Sequence, residues 1–208
     1  MSNVSSFNCY YTNAHSFLKK LPELNKIILE NDITLAGITE TWASSDMRYS
    51  EFDIEGFNMY RADKSSSKRS GGVLIYIHKI LVSIPYPQLG SMGCGDSVWE
   101  LVNTGSDKRI VVGNICRSPN SSEENTSQVL ELLALANQQE KITHLLVKGG
   151  FNMPEMEYND YSVAGLDFSI PVRFFNLLQD LFLIQHVFEA IQFRSDQIPP
   201  KLTYEFTN

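Results

Sequence analysis

The sequence predicts an α/β domain in which two packed β-sheets are covered by helices. Two kinds of segment occur along the chain: compact apolar runs typical of buried strands, and stretches with apolar residues at helical spacing. Four strand-like segments in the middle of the chain follow one another without a helix between them, so much of the sheet has to be antiparallel. The 208 residues, 43% of them apolar, suffice to bury one core, and we expect one domain spanning residues 1–208.

The first forty residues predict a strand, a helix and a second strand. Residues 7–11 indicate a short strand, and Leu21-Pro22 then opens a helix, because the N–H that proline lacks has no partner at the first helical positions. The run Ile33–Thr39 is compact and mostly apolar, which is typical of a strand buried on both faces. Glu40 therefore lies near the carboxyl end of a central strand, the edge at which open α/β sheets place their chemistry.

The later elements follow from the same two periodicities. Glu123 and Glu124 favour a helix start because carboxylates are stabilised in the first turn of a helix. Gly149-Gly150 is expected to end the strand before it. In order, we predict strand pairs at 57–61 with 73–78 and at 97–102 with 109–115, a helix at 122–139, a strand at 145–148, a helix around 174–181 and a last strand at 201–206.

The charge and the cysteines restrict the classes of function. A net charge of −7 argues against tight unspecific binding to nucleic acid, which depends on Lys and Arg. The dense basic cluster of Lys64, Lys68 and Arg69 is interpreted as a solvated hairpin tip. Three cysteines without CxxC spacing predict neither a disulfide framework nor a zinc site. We see no secretory signal or membrane-spanning run and expect an intracellular protein, nuclear or cytoplasmic.

Five short motifs carry a resemblance to a known family. In order they are Thr12-Asn13-Ala14, Ile38-Thr39-Glu40-Thr41-Trp42, Arg69-Ser70-Gly71-Gly72-Val73, Arg117-Ser118-Pro119-Asn120 and Gly150-Phe151-Asn152-Met153-Pro154. Their order and spacing resemble the endonuclease/exonuclease/phosphatase family, most of all the endonuclease domain of LINE-type (non-LTR, jockey-like) retrotransposons. The resemblance implies a four-layer sandwich of two mixed β-sheets flanked by helices, with the last strands missing from this copy.

The resemblance also implies a reaction and the residues for it. The family nicks target DNA with Mg²⁺, so Mg²⁺ is the implied cofactor and DNA the implied partner, with no membrane and no obligate protein partner. Glu40 corresponds to the metal-binding glutamate, and Asn13 and Asn152 to asparagines that organise the metal and the phosphate. Arg117 and Asn120 are implied on the substrate side, although the residues alone leave Arg117 open between a phosphate contact and a solvated arginine on the rim.

The chain departs from the family pattern at several polar positions. Gly150 replaces the aspartate that activates the attacking water, Cys116 replaces a tyrosine, and Thr203 replaces an aspartate that supports the catalytic histidine. The closing Ser-Asp-His motif does not occur after the Leu202 segment. Losing a positioned general base lowers a rate by roughly 10² to 10⁴, so we expect impaired or absent nicking.

Other interpretations stay open at this stage. Glu155, Glu157 or Asp160 is a poor candidate for replacing the lost acid, and Cys116 is interpreted as an inert strand residue instead of a nucleophile. The alternative function is a non-catalytic module that binds nucleic acid or a protein on the same fold. A phosphatase or repair nuclease of the same superfamily is disfavoured because the residues of the Asn13, Glu40 and Pro119 motifs resemble those of retrotransposon endonucleases.

Overall fold

Two mixed β-sheets form the centre of the molecule. The computed structural model describes residues 7–63, 70–90, 96–104, 108–138, 142–153, 155–157, 162–186 and 203–207. In chain order the strands of the first sheet are β1 (Cys9–Asn13), β2 (Leu35–Thr39), β3 (Phe57–Ala62) and β4 (Val73–His78). The chain continues through β5 (Val82–Pro85), β6 (Ser97–Asn103), β7 (Arg109–Cys116), β8 (His144–Gly150), β9 (Met156–Glu157), β10 (Ser162–Val163), β11 (Ile184–Gln185) and β12 (Thr203–Thr207).

Each of the two sheets contains one parallel pair of neighbouring strands. The first sheet has the order β1-β2-β4-β3, and the second has the order β11-β12-β8-β7-β6-β5, while β9 and β10 form a small separate pair. Strands β1 and β2 are parallel, as are β7 and β8, and the remaining neighbours are antiparallel. The carboxyl ends of each parallel pair therefore meet at one edge of their sheet.

Helices cover the outer face of each sheet and complete four layers. They are α1 (Leu21–Glu30), α2 (Pro87–Gly90), α3 (Glu123–Asn137) and α4 (Ile170–Asp180). Helix α1 packs on the first sheet, and α3 and α4 pack on the second. Strand β4 shows how the layers arise: Leu74 and Tyr76 face the α1 side, and Val73, Ile75 and Ile77 face the other sheet. This is the predicted α/β sandwich. Among the helices that the structure describes, none is long and apolar enough to cross a bilayer.

Most predicted elements are confirmed, with differences at their ends. Strand β1 lies two residues later than expected, because Cys9 is the first residue in register with β2, opposite Leu35. Strand β8 continues through both glycines instead of ending before them, since Gly149 and Gly150 pair with β7 and with β12. The short helix α2 and the strands β5, β9, β10 and β11 were not predicted. The basic cluster at 64–69 lies outside the described residues.

A buried carboxyl group lies between the sheets. Glu100 on β6 is 2% exposed and shares the inter-sheet face of its strand with Val98 and Val102. Within the described part of the chain its Oε2 atom has no hydrogen-bond partner, and burial raises the pKa of Glu100 to about 8. The protonated form is therefore the one that the fold accommodates.

The expected consequence is a loss of stability with rising pH. Because the pKa of Glu100 is raised by folding, its contribution is fully present below the ordinary carboxyl value of 4.5 and is lost as the pH rises through about 8. Urea unfolding of the wild type and Glu100→Gln across this pH range measures the effect. The free energy of unfolding of the wild type should fall relative to that of the variant. Parallel curves would contradict the assignment.

Candidate active site

Four strand ends and one glycine-rich turn meet where the two sheets face each other. Asn13 ends β1 opposite Thr39, the residue before Glu40, and Cys116 ends β7 opposite Gly150. The two sheets touch at this edge because the Cys116 thiol donates to Glu40 Oε1, with 3.3 Å between Sγ and Oε1. The structure thus brings together the strand ends that carry Asn13, Glu40, Cys116 and Gly150.

A buried asparagine fixes the spacing of the sheets just behind this edge. Asn114 on β7 is 1% exposed, and its Nδ2 donates to the backbone oxygens of Ile38, at 2.9 Å, and Leu74, at 3.0 Å. Both acceptors belong to the first sheet, so one side chain connects the layers. Asn114 lies two residues before Cys116, and it therefore helps to hold the thiol at hydrogen-bonding distance from Glu40.

Glu40 is held in one orientation by donors from three parts of the chain. Its Oε2 accepts from the Trp42 indole Nε1, at 2.8 Å, and from the Gly71 backbone amide, at 2.9 Å. Burial raises the pKa of Glu40, but the hydrogen bonds from Gly71, Trp42 and Cys116 and the charge of His15 outweigh burial and leave the pKa below its ordinary value. The carboxylate is therefore ionised at neutral pH.

The backbone around Glu40 adopts conformations that non-glycine residues rarely use. Glu40 has a φ of +52° and Trp42 a φ of +54°, and Asn152, across the site, has a φ of +51°. His15 and Ser16, which follow β1, also have positive φ values. Such conformations persist where surrounding contacts enforce them, and they concentrate at functional sites.

Gly71 and Gly72 form a turn that is hydrogen-bonded to the residues after Glu40. The backbone N–H of Thr41 donates to Gly72 O, at 3.3 Å, and that of Trp42 to Gly71 O, at 3.0 Å. The sequence marks these glycines only as part of the motif that ends at Val73. In the structure their amide and carbonyl groups orient Glu40, and Gly72 has a φ of +79°.

Replacing Gly72 with alanine should destabilise the site. An added Cβ would lie 2.5 Å from Thr41 Oγ1, whereas at Gly56, with a similar φ of +85°, the nearest atom would be 3.7 Å away. Both changes carry backbone strain of about 1–2 kcal/mol, and Gly72→Ala adds a steric term of about 1–2 kcal/mol. Urea denaturation of the two variants isolates that difference. Equal losses would show that Thr41 moves aside freely.

Cys116 is a buried hydrogen-bond donor. It is 5% exposed, and burial, followed by the negative charge of Glu40, raises the pKa of the Cys116 thiol well above its ordinary value. A protonated thiol of this kind is a poor nucleophile. Its position beside Glu40 nevertheless gives it a contact with the candidate metal ligand.

Arg117 and Asn152 bind each other across the site. The guanidinium Nη1 of Arg117 donates to the backbone oxygens of Phe151, at 3.1 Å, and Asn152, at 3.0 Å, and Nε donates to Thr126 Oγ1, at 3.0 Å. In return, Asn152 Nδ2 donates to the backbone oxygen of Arg117. Arg117 is 9% exposed, so the interpretation of it as a solvated rim arginine is wrong.

Asn13 provides an oxygen that could serve a metal ion. Its Oδ1 is buried and has no hydrogen-bond partner among the described residues. Mg²⁺ in proteins commonly takes one or two carboxylates and completes its shell with water and phosphate oxygens. An ionised Glu40 and the unpaired Asn13 Oδ1, carried by neighbouring strands, fit a hard cation of this type. In the described part of the chain, no group of three or more His, Cys, Asp or Glu side chains could hold a metal.

The other predicted positions lie further out or outside the described residues. Asn120 is exposed in the turn before α3, and no described contact joins it to Glu40 or Asn152. The backbone of Thr203 on β12 pairs with that of Gly150 on β8, so two of the three replaced positions are in register. Glu155 is exposed. Asp160 is not among the described residues.

The sequence did not identify several residues that build the site. Trp42, Gly71 and Asn114 make the hydrogen bonds that orient Glu40 or join the sheets. His15 lies edge-on to the Trp42 indole, with 6.0 Å between ring centroids. Trp42 and Gly71 both occur within the motifs that carry the resemblance, so the motifs were the available signal. No sequence signal pointed to Asn114.

Comparison with solved structures identifies the fold. No protein-family model and no curated protein sequence matches the chain. The endonuclease domain of TRAS1, a telomere-specific non-LTR retrotransposon, superposes with a TM-score of 0.66 at 14% identity, over 97% of this chain and 84% of that one. AP endonuclease LMAP from Leishmania major gives 0.68 at 15% identity, over 97% and 78%. The 3′ phosphatase NExo from Neisseria, bound to product DNA hairpin, gives 0.66 at 14% identity, over 97% and 86%.

These neighbours include a retrotransposon endonuclease, an AP endonuclease and a phosphatase, so the likeness does not choose among their activities. Identities of 14–15% show the fold and not a shared function. The chain has the four-layer α/β sandwich of the endonuclease/exonuclease/phosphatase enzymes.

Proposed function

We propose that the chain is an endonuclease/exonuclease/phosphatase domain derived from a LINE-type retrotransposon, with Mg²⁺-dependent nicking of target DNA as its ancestral reaction and little or no activity of its own. The observation that carries this proposal is Gly150. It stands at the end of β8 opposite Cys116, whose side chain reaches Glu40, so a side chain at position 150 would face the same carboxylate. Glycine offers no group there to orient or deprotonate water.

The remaining residues support binding better than turnover. Glu40 and Asn13 would hold a bound Mg²⁺, which would supply positive charge to a phosphodiester oxygen. Glu40 is kept ionised and fixed by Trp42 and Gly71. We place Asn152 on the phosphate side of this pair, because its loop follows Gly150, and Arg117 supports Asn152 through a hydrogen bond to its backbone oxygen. We place the DNA on the side of the exposed Asn120. The Cys116 thiol is held protonated beside Glu40 and does not replace a base.

A nicking assay tests the proposal directly. Supercoiled plasmid incubated with the purified chain and Mg²⁺ should stay supercoiled, or be nicked at least about 10²-fold more slowly than by an enzyme that retains its base. Glu40→Gln serves as the control for contaminating nuclease. Brisk nicking that Glu40→Gln abolishes would overturn the assignment of an impaired enzyme.

The second candidate function is a non-catalytic module that binds nucleic acid or a protein inside the cell. Two observations favour it. Asn152 and the exposed Asn120 keep polar side chains on the side where we place the DNA. One neighbour with this fold is bound to product DNA hairpin. The net charge of −7 works against unspecific DNA affinity. Salt-dependent binding of a labelled duplex without cleavage would support this function.

A further inference from the structure

We propose that Arg117 is a positioning residue, which holds Asn152 and the loop after β8 in place and does not itself contact a nucleic-acid phosphate. The inference rests on the proposed function, because it explains how Asn152 would be presented to a phosphate. It changes the role of Arg117 from substrate contact to internal support.

The direction of the guanidinium group is the first argument. Its Nε and Nη1 donate to three protein acceptors within 3.1 Å, on Thr126, Phe151 and Asn152. Thr126 is fully buried, and its hydroxyl donates onward to Ser122 O, at 3.1 Å, so its lone pairs are available to Arg117. The Nε and Nη1 groups of Arg117 are thus hydrogen-bonded within the protein. A phosphate contact through Nε or Nη1 would require breaking these bonds, and the acceptors on Thr126 and Phe151 lie in buried residues, where an unpaired polar group is costly.

The conformation of Asn152 is the second argument. Asn152 has a φ of +51°, a left-handed conformation that costs about 1 kcal/mol or more and needs support from its surroundings. Arg117 supplies that support from several atoms: its amide donates to Gly150 O, at 2.8 Å, its carbonyl accepts from Asn152 Nδ2, and its side chain donates to Asn152 O. Gly150 and Asn152, which flank Phe151, are therefore both hydrogen-bonded to Arg117.

The bond to Thr126 extends this support to helix α3. Thr126 lies in the first turn of α3, and its backbone N–H donates to Ser122 O, at 3.1 Å. A single guanidinium group consequently joins the ends of β7 and β8 to the start of a helix. Lysine carries the same charge but cannot place donors on three separate acceptors in one plane. The proposal therefore predicts that Lys fails at this position almost as badly as an uncharged residue.

The experiment compares Arg117→Lys, Arg117→Met and Thr126→Val with the wild-type full chain, and uses the exposed Arg48→Met as the matched arginine control. Hydrogen exchange of peptides covering 149–153 reports on the loop, and peptides from β4 report on the global fold. We expect both Arg117 variants to raise exchange at 149–153 by about tenfold or more while β4 stays protected. Thr126→Val should reproduce part of this increase, and Arg48→Met none of it.

A second measurement separates positioning from phosphate contact. Binding of a fluorescein-labelled DNA duplex is titrated between about 50 and 200 mM KCl, where each phosphate neutralised adds about 0.9 to the slope of log K against log salt. We expect both Arg117 variants to weaken binding about tenfold with the wild-type slope kept. A slope reduced by about 0.9 in Arg117→Met, with Arg117→Lys binding as the wild type, would overturn the proposal.

The two measurements distinguish this inference from the proposed function. If the wild type shows no duplex binding, the nucleic-acid part of the proposed function fails, and the exchange measurement alone decides the role of Arg117. Unchanged exchange at 149–153 in Arg117→Lys would overturn the positioning role whatever the DNA result.

Discussion

Gly149→Ala is expected to disrupt the fold, at a cost of at least about 3 kcal/mol. A Cβ at this position would lie 2.0 Å from the backbone oxygen of Ile115 and 2.9 Å from its carbonyl carbon. These atoms belong to the β7 backbone, in register with Gly149 on β8, so no side-chain rotation relieves the clash. Gly149 also has a φ of +157°, which side chains rarely adopt. The two central strands of the second sheet would have to separate.

Thermal unfolding measures this prediction, with Gly90→Ala as the matched control. No atom of the described residues lies within 4 Å of a Cβ built on Gly90, so alanine there should be neutral or slightly stabilising. For a chain of this size, 3 kcal/mol corresponds to a fall in Tm of roughly 6–12 °C. If Gly149→Ala fails to accumulate in soluble form while Gly90→Ala is soluble, the prediction is also met. A Gly149→Ala melting curve close to that of the wild type would contradict it.

The fold could be predicted from the sequence where periodicity decides burial. Helix α1 and strand β4 follow from residues that are close in the chain, and both are observed. Strand β5 was missed because Val82 and Ile84 are exposed on an edge strand, so its apolar residues do not mark a buried face. The end of β8 was misjudged because glycine usually ends strands. Here close packing against Ile115 requires Gly149 inside the strand.

The candidate site was only partly predictable because its bonds join distant parts of the chain. Two donors to Glu40 are distant in the sequence: Cys116 is 76 residues away and Gly71 is 31 residues away. Such pairs depend on how the two sheets face each other, which local pattern does not encode. Arg117 illustrates the same limit: its residue type suggests a phosphate contact, whereas its burial and its three protein acceptors are properties of the packed structure.

Gly150, the neighbour of Gly149, should lose much less stability on substitution than Gly149. Gly150 is not among the residues with positive φ, so its backbone accepts a side chain. It pairs with Cys116, whose thiol lies 3.3 Å from Glu40 Oε1, and side chains of paired residues project from the same face of a sheet. Gly150→Asp should therefore place a second carboxylate beside Glu40. Without metal, repulsion between the two charges should destabilise the variant by about 1 kcal/mol.

A divalent metal ion should restore the stability that Gly150→Asp loses, because the new carboxylate would help to bind it. Two carboxylates and Asn13 Oδ1 form a better site for Mg²⁺ than Glu40 and Asn13 alone, so Mg²⁺ or Mn²⁺ should raise the Tm of Gly150→Asp more than that of the wild type. Nicking of supercoiled plasmid should also rise, by about 10²-fold. This is the lower end of the range for a restored base, because catalytic residues act as a unit and Cys116 and Thr203 are still in place.

Gly150→Asn is the matched control, since its amide has the shape of the aspartate without the charge. It should gain neither metal-dependent stability nor activity. If Gly150→Asp and Gly150→Asn behave alike in both measurements, position 150 does not face the Glu40 carboxylate, and the proposal that its glycine silences the site is wrong. If Gly150→Asp gains metal-dependent stability without nicking, the metal site is restored, and the remaining block lies with the other replaced positions, Cys116 and Thr203.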